Sequence, residues 1–122
     1  MRSVEEIIAA ALKSVPALGG RVYPLVADQG VARPYAVWTV VSKAEGTDFD
    51  GAINLAEVYF QVDVYALTPS ECASVAATCR VALISLKECN CKTEVFGKMG
   101  YEGDTKLYRD SSDYQILVES ED

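Results

Sequence analysis

Residues 56–66 alternate without a break. Val58, Phe60, Val62, Val64 and Ala66 fall on one side of an extended chain, and Glu57, Tyr59, Gln61, Asp63 and Tyr65 on the other. That pattern predicts a strand with one apolar face. It stops at Thr68-Pro69-Ser70-Glu71, which reads as a helix N-cap, a proline at the first helical position and a capping glutamate. The apolar spacing then becomes helical: Cys72, Val75, Ala76, Cys79, Leu83 and Leu86 share one face of a helix ending near Lys87.

Nearer the start, Ser3 and Glu6 form a capping-box pair ahead of a stripe made by Val4, Ile7, Ile8, Ala11, Leu12 and Val15. This predicts a first helix over residues 3–15, ended by Pro16 and Gly19-Gly20. Residues 21–25 predict a short strand, with Pro24 pointing to a sheet edge. A loop covers 27–34, and the β-branched and aromatic run at 35–43 predicts a strong strand. Residues 44–55 read as a connection between two antiparallel strands, longer than the roughly two to five residues of most hairpin loops. After the second helix, residues 92–97 predict a strand, 97–113 a turn-rich stretch and 114–119 a last strand. The expected fold is α+β, with two amphipathic helices packed on one face of an antiparallel or mixed sheet of about five strands. Residues 1–122 are expected to form a single domain.

Composition sets limits on this picture. A chain of 122 residues, 50 % hydrophobic and 24 % charged, can bury a core and present a soluble surface. A net charge of −7 argues against a general nucleic-acid binder, and Arg2, Lys13, Arg21, Arg33 and Lys43 are scattered. No apolar run approaches a membrane span, and Glu5 and Glu6 do not suit a secretory leader, so synthesis and use in the cytosol are expected. In a reducing compartment Cys72 and Cys79 are expected to pack in the core, and the spacing of Cys89 and Cys91 matches no zinc pattern.

Chemistry has little to work with. The chain has no histidine, which removes the commonest general base and metal ligand and rules out a Ser–His or Cys–His nucleophile. Asp48-Phe49-Asp50-Gly51 resembles a calcium loop only superficially, because its glycine arrives about two positions early. Gly97, Gly100 and Gly103 precede no helix and form no phosphate loop. Glu57 and Asp63 are about 20 Å apart along one strand, too far for a catalytic pair. Catalytic residues, cofactors and metals are therefore not expected. Tyr23, Tyr35 and Trp38 suit a core or half-buried place, whereas Tyr59 and Tyr65, flanked by acids, suit a protein–protein surface. Phe49, in the middle of the acidic connection, suits an anchor for a partner.

The order of short motifs resembles the tail completion or tail terminator proteins of long-tailed bacteriophages. The matching pieces are the first helix, Arg21-Val22-Tyr23-Pro24, Arg33-Pro34-Tyr35-Ala36-Val37-Trp38 and Asp50-Gly51. They continue with the Val58–Ala66 strand running into the second helix, the run from Tyr101 to Arg109, and Asp113-Tyr114-Gln115-Ile116. The resemblance implies a structural virion protein of the head–tail interface. It would form a hexameric ring that caps the head-proximal end of the tail tube, stops polymerisation and docks to the neck or connector. The implied partners are further copies of itself, the major tail tube protein, a neck or connector protein, and DNA passing without specific binding; no membrane is involved. Under that reading Asp48, Phe49, Asp50, Ile53, Leu55, Tyr59 and Tyr65 are interface candidates, and Glu57 and Asp63 are candidates for an acidic channel lining. The alternatives are another neck or head–tail connector-associated protein, or, in a different class, a small cytosolic ligand-binding domain.

Overall fold

The alternating segment lies at the centre of the molecule as a strand paired on both sides. The computed structural model describes residues 3–27, 30–47, 54–87 and 89–119. Its elements are α1 (Val4–Lys13), a 3-10 turn (Pro16–Leu18), β1 (Val22–Pro24), β2 (Tyr35–Thr47), β3 (Asn54–Ala66), α2 (Pro69–Ile84), β4 (Asn90–Glu102) and β5 (Leu107–Glu119). The strands form one sheet in the order β1-β2-β3-β5-β4. β1 runs parallel to β2 and every other neighbouring pair is antiparallel, so the sheet is mixed. Among the described residues no helix is long and apolar enough to cross a membrane.

Both helices bury their stripes in one cluster with the apolar face of β3: α2 lies over β3, β5 and β4, and α1 packs against α2 and the β1–β2 side of the sheet. Val58, Phe60, Val62, Val64 and Ala66 are at most 2 % exposed and share one cluster with Ile8, Leu12 and Val15 of the first helical region and Cys72, Val75, Cys79 and Leu83 of α2. The rings of Phe60 and Tyr114 stack at 5.3 Å in its middle. Burying each of the larger side chains contributes about 1.5–3 kcal/mol, so this face is the main source of stability. The caps are as expected. Ser3 Oγ accepts from the Glu6 N–H at 3.1 Å, and Glu6 Oε1 accepts from the Ser3 N–H at 2.9 Å. Thr68 Oγ1 accepts from the Glu71 N–H at 3.1 Å. α2 is less sharply divided than α1, because Ala73, Ala77, Val81 and Ile84 on its outer side are also apolar and exposed.

Two segments differ from the expectation. The 44–55 connection is mostly strand: the β2–β3 ladder continues through Ala44↔Glu57, Glu45↔Ala56, Gly46↔Leu55 and Thr47↔Asn54, leaving residues 48–53 to join them. Backbone pairing outweighs the weak strand preference of Ala44, Glu45 and Gly46. The 97–113 stretch is not turn-rich either. It forms most of the β4–β5 hairpin, turning only at 103–106, where the Lys106 N–H donates to the Glu102 carbonyl at 2.8 Å. Gly97 at φ 82° lies in a register shift between Val95 and Lys98, so the glycine marks a bulge inside a strand.

β5 also carries polar groups into the core. Asp110 and Ser112 pair in register with Val64 and Val62 and are 3 % and 2 % exposed. The Ser112 hydroxyl donates to Asp110 Oδ1 at 3.3 Å. Burial pushes the Asp110 carboxyl above the usual carboxylate range, and the nearby Asp63 charge adds to this against the Ser112 hydrogen bond. A raised acid favours the folded state while protonated. Its contribution is therefore full below the unfolded-state value and is lost as pH rises through the raised one.

Two outcomes follow for stability. Phe60→Ala should cost about 3–5 kcal/mol in urea unfolding, because it empties the centre of the core. Asp110→Asn should gain on the parent chain as pH rises from about 4 to 7, and thermal melts across that range should show the difference closing again at low pH.

Candidate functional site

The sheet face turned away from the helices is the surface with the most unusual chemistry. Strand register arranges it in transverse rows: Tyr35–Tyr65–Arg109–Gly100, Val37–Asp63–Ser111–Lys98, Thr39–Gln61–Asp113–Val95 and Ser42–Tyr59–Gln115–Lys92. A bulge between Val40 and Ser42 keeps Ser42 in its row. The same bulge sets Lys43 beside Val58 on the helix side, where its Nζ meets Glu5 Oε2 at 2.7 Å. The Lys43 hydrogen bond holds the Glu5 carboxyl below its ordinary value.

The first row is an aromatic–cation row. Tyr23 meets Tyr35 edge-on at 6.3 Å, and Tyr35 stacks on Tyr65 at 4.9 Å. Arg109 hydrogen-bonds Tyr65, which raises the arginine further above its usual value, and its Nη1 lies 3.4 Å from Glu102 Oε2. A Cβ on Gly100 would sit 3.8 Å from Arg109 Nη2, so this strand leaves room for the guanidinium. Burial pushes the Tyr65 hydroxyl up, and Asp63 adds to the effect. In the next row Asp63 is only 8 % exposed. Its carboxylate accepts from the Ser111 hydroxyl and from Gln61 Nε2 at 2.9 and 3.1 Å. Further along, Lys98 Nζ lies 3.0 Å from Asp113 Oδ2, and Gln115 Nε2 donates to Tyr59 Oη at 3.0 Å. Tyr59 Oη in turn lies 3.5 Å from Glu57 Oε2.

Most polar groups on this face satisfy one another, the exception among the described residues being the buried Arg109 Nε, which has no hydrogen-bond partner. Glu57, Asp63, Glu94, Glu102 and Asp113 stand against Lys92, Lys98 and Arg109, so the face is mixed in charge with an excess of acids. An open trough of about 610 Å³ crosses it between the β2 bulge and β4, lined by Val41, Ser42, Tyr59, Gln61, Glu94 and Asp113 among others. Several of its polar walls are held by neighbours outside the trough, Tyr59 by Gln115, Gln61 by Asp63, Asp113 by Lys98 and Glu94 by Lys92, which suits a contact surface. The cysteines take no part in it. Burial pushes the Cys72 thiol up to about 11 and the Cys79 and Cys91 thiols to about 12, so at neutral pH they are protonated packing groups. Among the described residues no three metal-ligating side chains converge.

The candidates from sequence divide as follows. Tyr59 and Tyr65 are half-buried members of this network, Glu57 is exposed, and Asp63 is buried within it. Leu55 pairs through its backbone with Gly46 and Glu119. Asp48, Phe49, Asp50 and Ile53 lie outside the described residues. Sequence reasoning missed Arg109, Ser111, Asp113 and Gln115, which complete the rows. Their alternation with Tyr108, Asp110, Ser112 and Tyr114 was available as a signal, but polar residues on both sides hid the period of two.

Comparison with known proteins agrees with this architecture. Residues 6–119 match the family model described as tail completion protein gp17. A chain from the virion of a native gene transfer agent (GTA) particle superposes with a TM-score of 0.68 at 17 % identity, over 97 % of this chain and 96 % of that one. At that identity the likeness speaks for the fold. No curated protein matched the chain by sequence.

Ser111→Ala should cost about 1–3 kcal/mol at pH 7, since it removes a buried hydroxyl donor from the Asp63 carboxylate. Denaturant unfolding measures this, and an unchanged midpoint would mean that water replaces the serine.

Proposed function

Because the chain belongs to the tail completion protein gp17 family, structural proteins of the virion tail, we propose that it acts as a ring-forming terminator at the head-proximal end of the tail tube. The observation that carries this reading is the family match over nearly the whole chain, residues 6–119. Six copies close into a collar that stops tube polymerisation and offers its other side to the neck or connector. The protein works by shape and makes or breaks no covalent bonds.

The geometry supports this in two ways. The outer sheet face is stiffened by stacked rings and paired charges, as a surface that must meet partners in one register requires. Tyr59 and Tyr65 present ring edges and hydroxyls there, and tyrosine is enriched at such contacts. The interface extends to Leu55 and to Asp48, Phe49, Asp50 and Ile53, with Phe49 as the anchor. Passing DNA meets acid: with −7 per chain, a sixfold collar repels the phosphate backbone. On the outer face that role falls to Glu57, since Asp63 is held by Ser111 and Gln61.

Native mass spectrometry, with electron microscopy of tails, tests the proposal. The expected species is sixfold at the tube end, and a stable dimer as the end state would overturn it. Phe49→Ala should leave the melting curve unchanged while lowering tail capping severalfold. Glu57→Lys should slow DNA release through assembled particles without affecting assembly, and unchanged release would remove Glu57 from the channel wall.

A further inference from the structure

We infer that successive copies join edge to edge, with Leu25 and Val26 on the β1 side of one copy docking by side chains onto the β4 edge of the next. The inference rests on the ring proposed above. β1 and β4 are the two edges of the sheet. They differ in kind.

The β1 edge offers little to strand addition, because among its described residues it presents no free N–H. The Val22 N–H donates to the Gly20 carbonyl at 2.9 Å, Pro24 has no N–H, and the Pro24 carbonyl accepts from the Val26 N–H at 2.7 Å. What this edge offers is side chains. Leu25 and Val26 are 73 % and 75 % exposed. Leu25 also sits at φ 66°, a left-handed conformation that costs a leucine about 1–2 kcal/mol. Its N–H, donated to the Trp38 carbonyl at 2.9 Å, ties that conformation to β2. Strain is thus maintained at a position that holds two apolar groups in water.

The β4 edge carries exposed apolar groups among its charges, Val95 in an outer-face row and Met99 and Tyr101 at the alternate positions on the helix side. Val95, Phe96, Met99 and Tyr101 are all exposed, and Arg80 of α2 lies over the Phe96 ring at 5.4 Å. The two surfaces also match in height. Leu25 bonds to Trp38, Trp38 pairs with Val62, Val62 with Ser112, and the Ser112 Oγ accepts from the Gly97 N–H. Leu25 and the Phe96–Gly97 bulge therefore end one transverse line across the sheet. A neighbouring line begins at Arg21, whose carbonyl accepts from the Ala36 N–H, and runs through Tyr35, Tyr65 and Arg109 to the Gly100–Glu102 stretch. Arg21 and Arg33 are the basic residues at its first end, and the sequence between them carries one acid, Asp28. Glu102 and Asp104 are at the other end. A second copy placed alongside with the same strand direction brings apolar against apolar and cation against carboxylate. Since the two patches are on opposite edges, the contact is heterologous, which is the kind that closes rings.

Two exposed substitutions test this. Leu25→Asp spoils the knob and leaves the β4 ledge intact, whereas Met99→Asp does the reverse. Native mass spectrometry, with and without tail tubes, should find that neither variant forms the ring, while an equimolar mixture gives a one-to-one dimer and nothing larger. Leu25→Gly should melt no lower than the parent, because it relieves the left-handed conformation, yet should lose assembly as Leu25→Asp does. A ring that survives both aspartate substitutions overturns this interface alone, and a parent chain that never self-associates overturns the ring and the interface together. Self-dimerisation of either variant, or a photocrosslinker at position 26 that captures tube protein in place of another copy, would also overturn it.

Discussion

One backbone, β3, has to satisfy two different surroundings at once. Its even-numbered side chains, Val58 to Ala66, join the core cluster that both helices help to close, and its odd-numbered ones tie together a polar and aromatic sheet face. The period of two makes this possible, and a slip of one residue would bury Glu57 and Asp63 under the helices. Every other element is positioned by that register. β2 and β5 flank β3 along nearly its whole length, and β1 and β4 add at the outside. The irregularities lie in the β2–β3 and β4–β5 ladders, at Val40–Ser42 and Thr93–Lys98, and the β3–β5 ladder runs without a register shift.

The legible part of the fold was the part in which a single physical preference dominates. Ser3 with Glu6, and Thr68 with Pro69, start helices because they satisfy orphan amides, and no tertiary contact competes. β3 and the first half of β2 were legible because apolar and polar residues alternate cleanly. Legibility failed where pairing partners decide. Ala44 to Thr47 are strand because β3 lies opposite them, and Lys98 to Glu102 and Leu107 to Asp113 are strand because they pair with each other, with buried Asp63, Asp110, Ser111 and Ser112 bonding among themselves. No local pattern encodes a polar pair that is 48 residues apart in the chain. The outer-face rows were therefore half visible: Tyr59, Tyr65, Glu57 and Asp63 could be named, while Arg109 and Ser111 could not.

Placing polar groups under cover has a stability cost that the rest of the core must offset. Asp110 is the clearest case, a carboxyl beneath α2 that feels the Cys72 and Cys79 thiols and accepts from the Ser112 hydroxyl. Asp63, by contrast, accepts from two side chains and anchors a row that includes strand neighbours on either side. The difference separates the two faces of β5. The helix side tolerates a charge, whereas the outer side uses one to hold geometry.

The asymmetry of the two sheet borders bears on how the chain behaves before there is a tail to join. Unprotected borders recruit one another into cross-β deposits as protein accumulates. Here one border has spent its amides on its own turn around Gly20, Pro24 and Val26. Growth through hydrogen-bonded stacking stalls at that side. What that border leaves on offer is side chains, the exposed Leu25 and Val26.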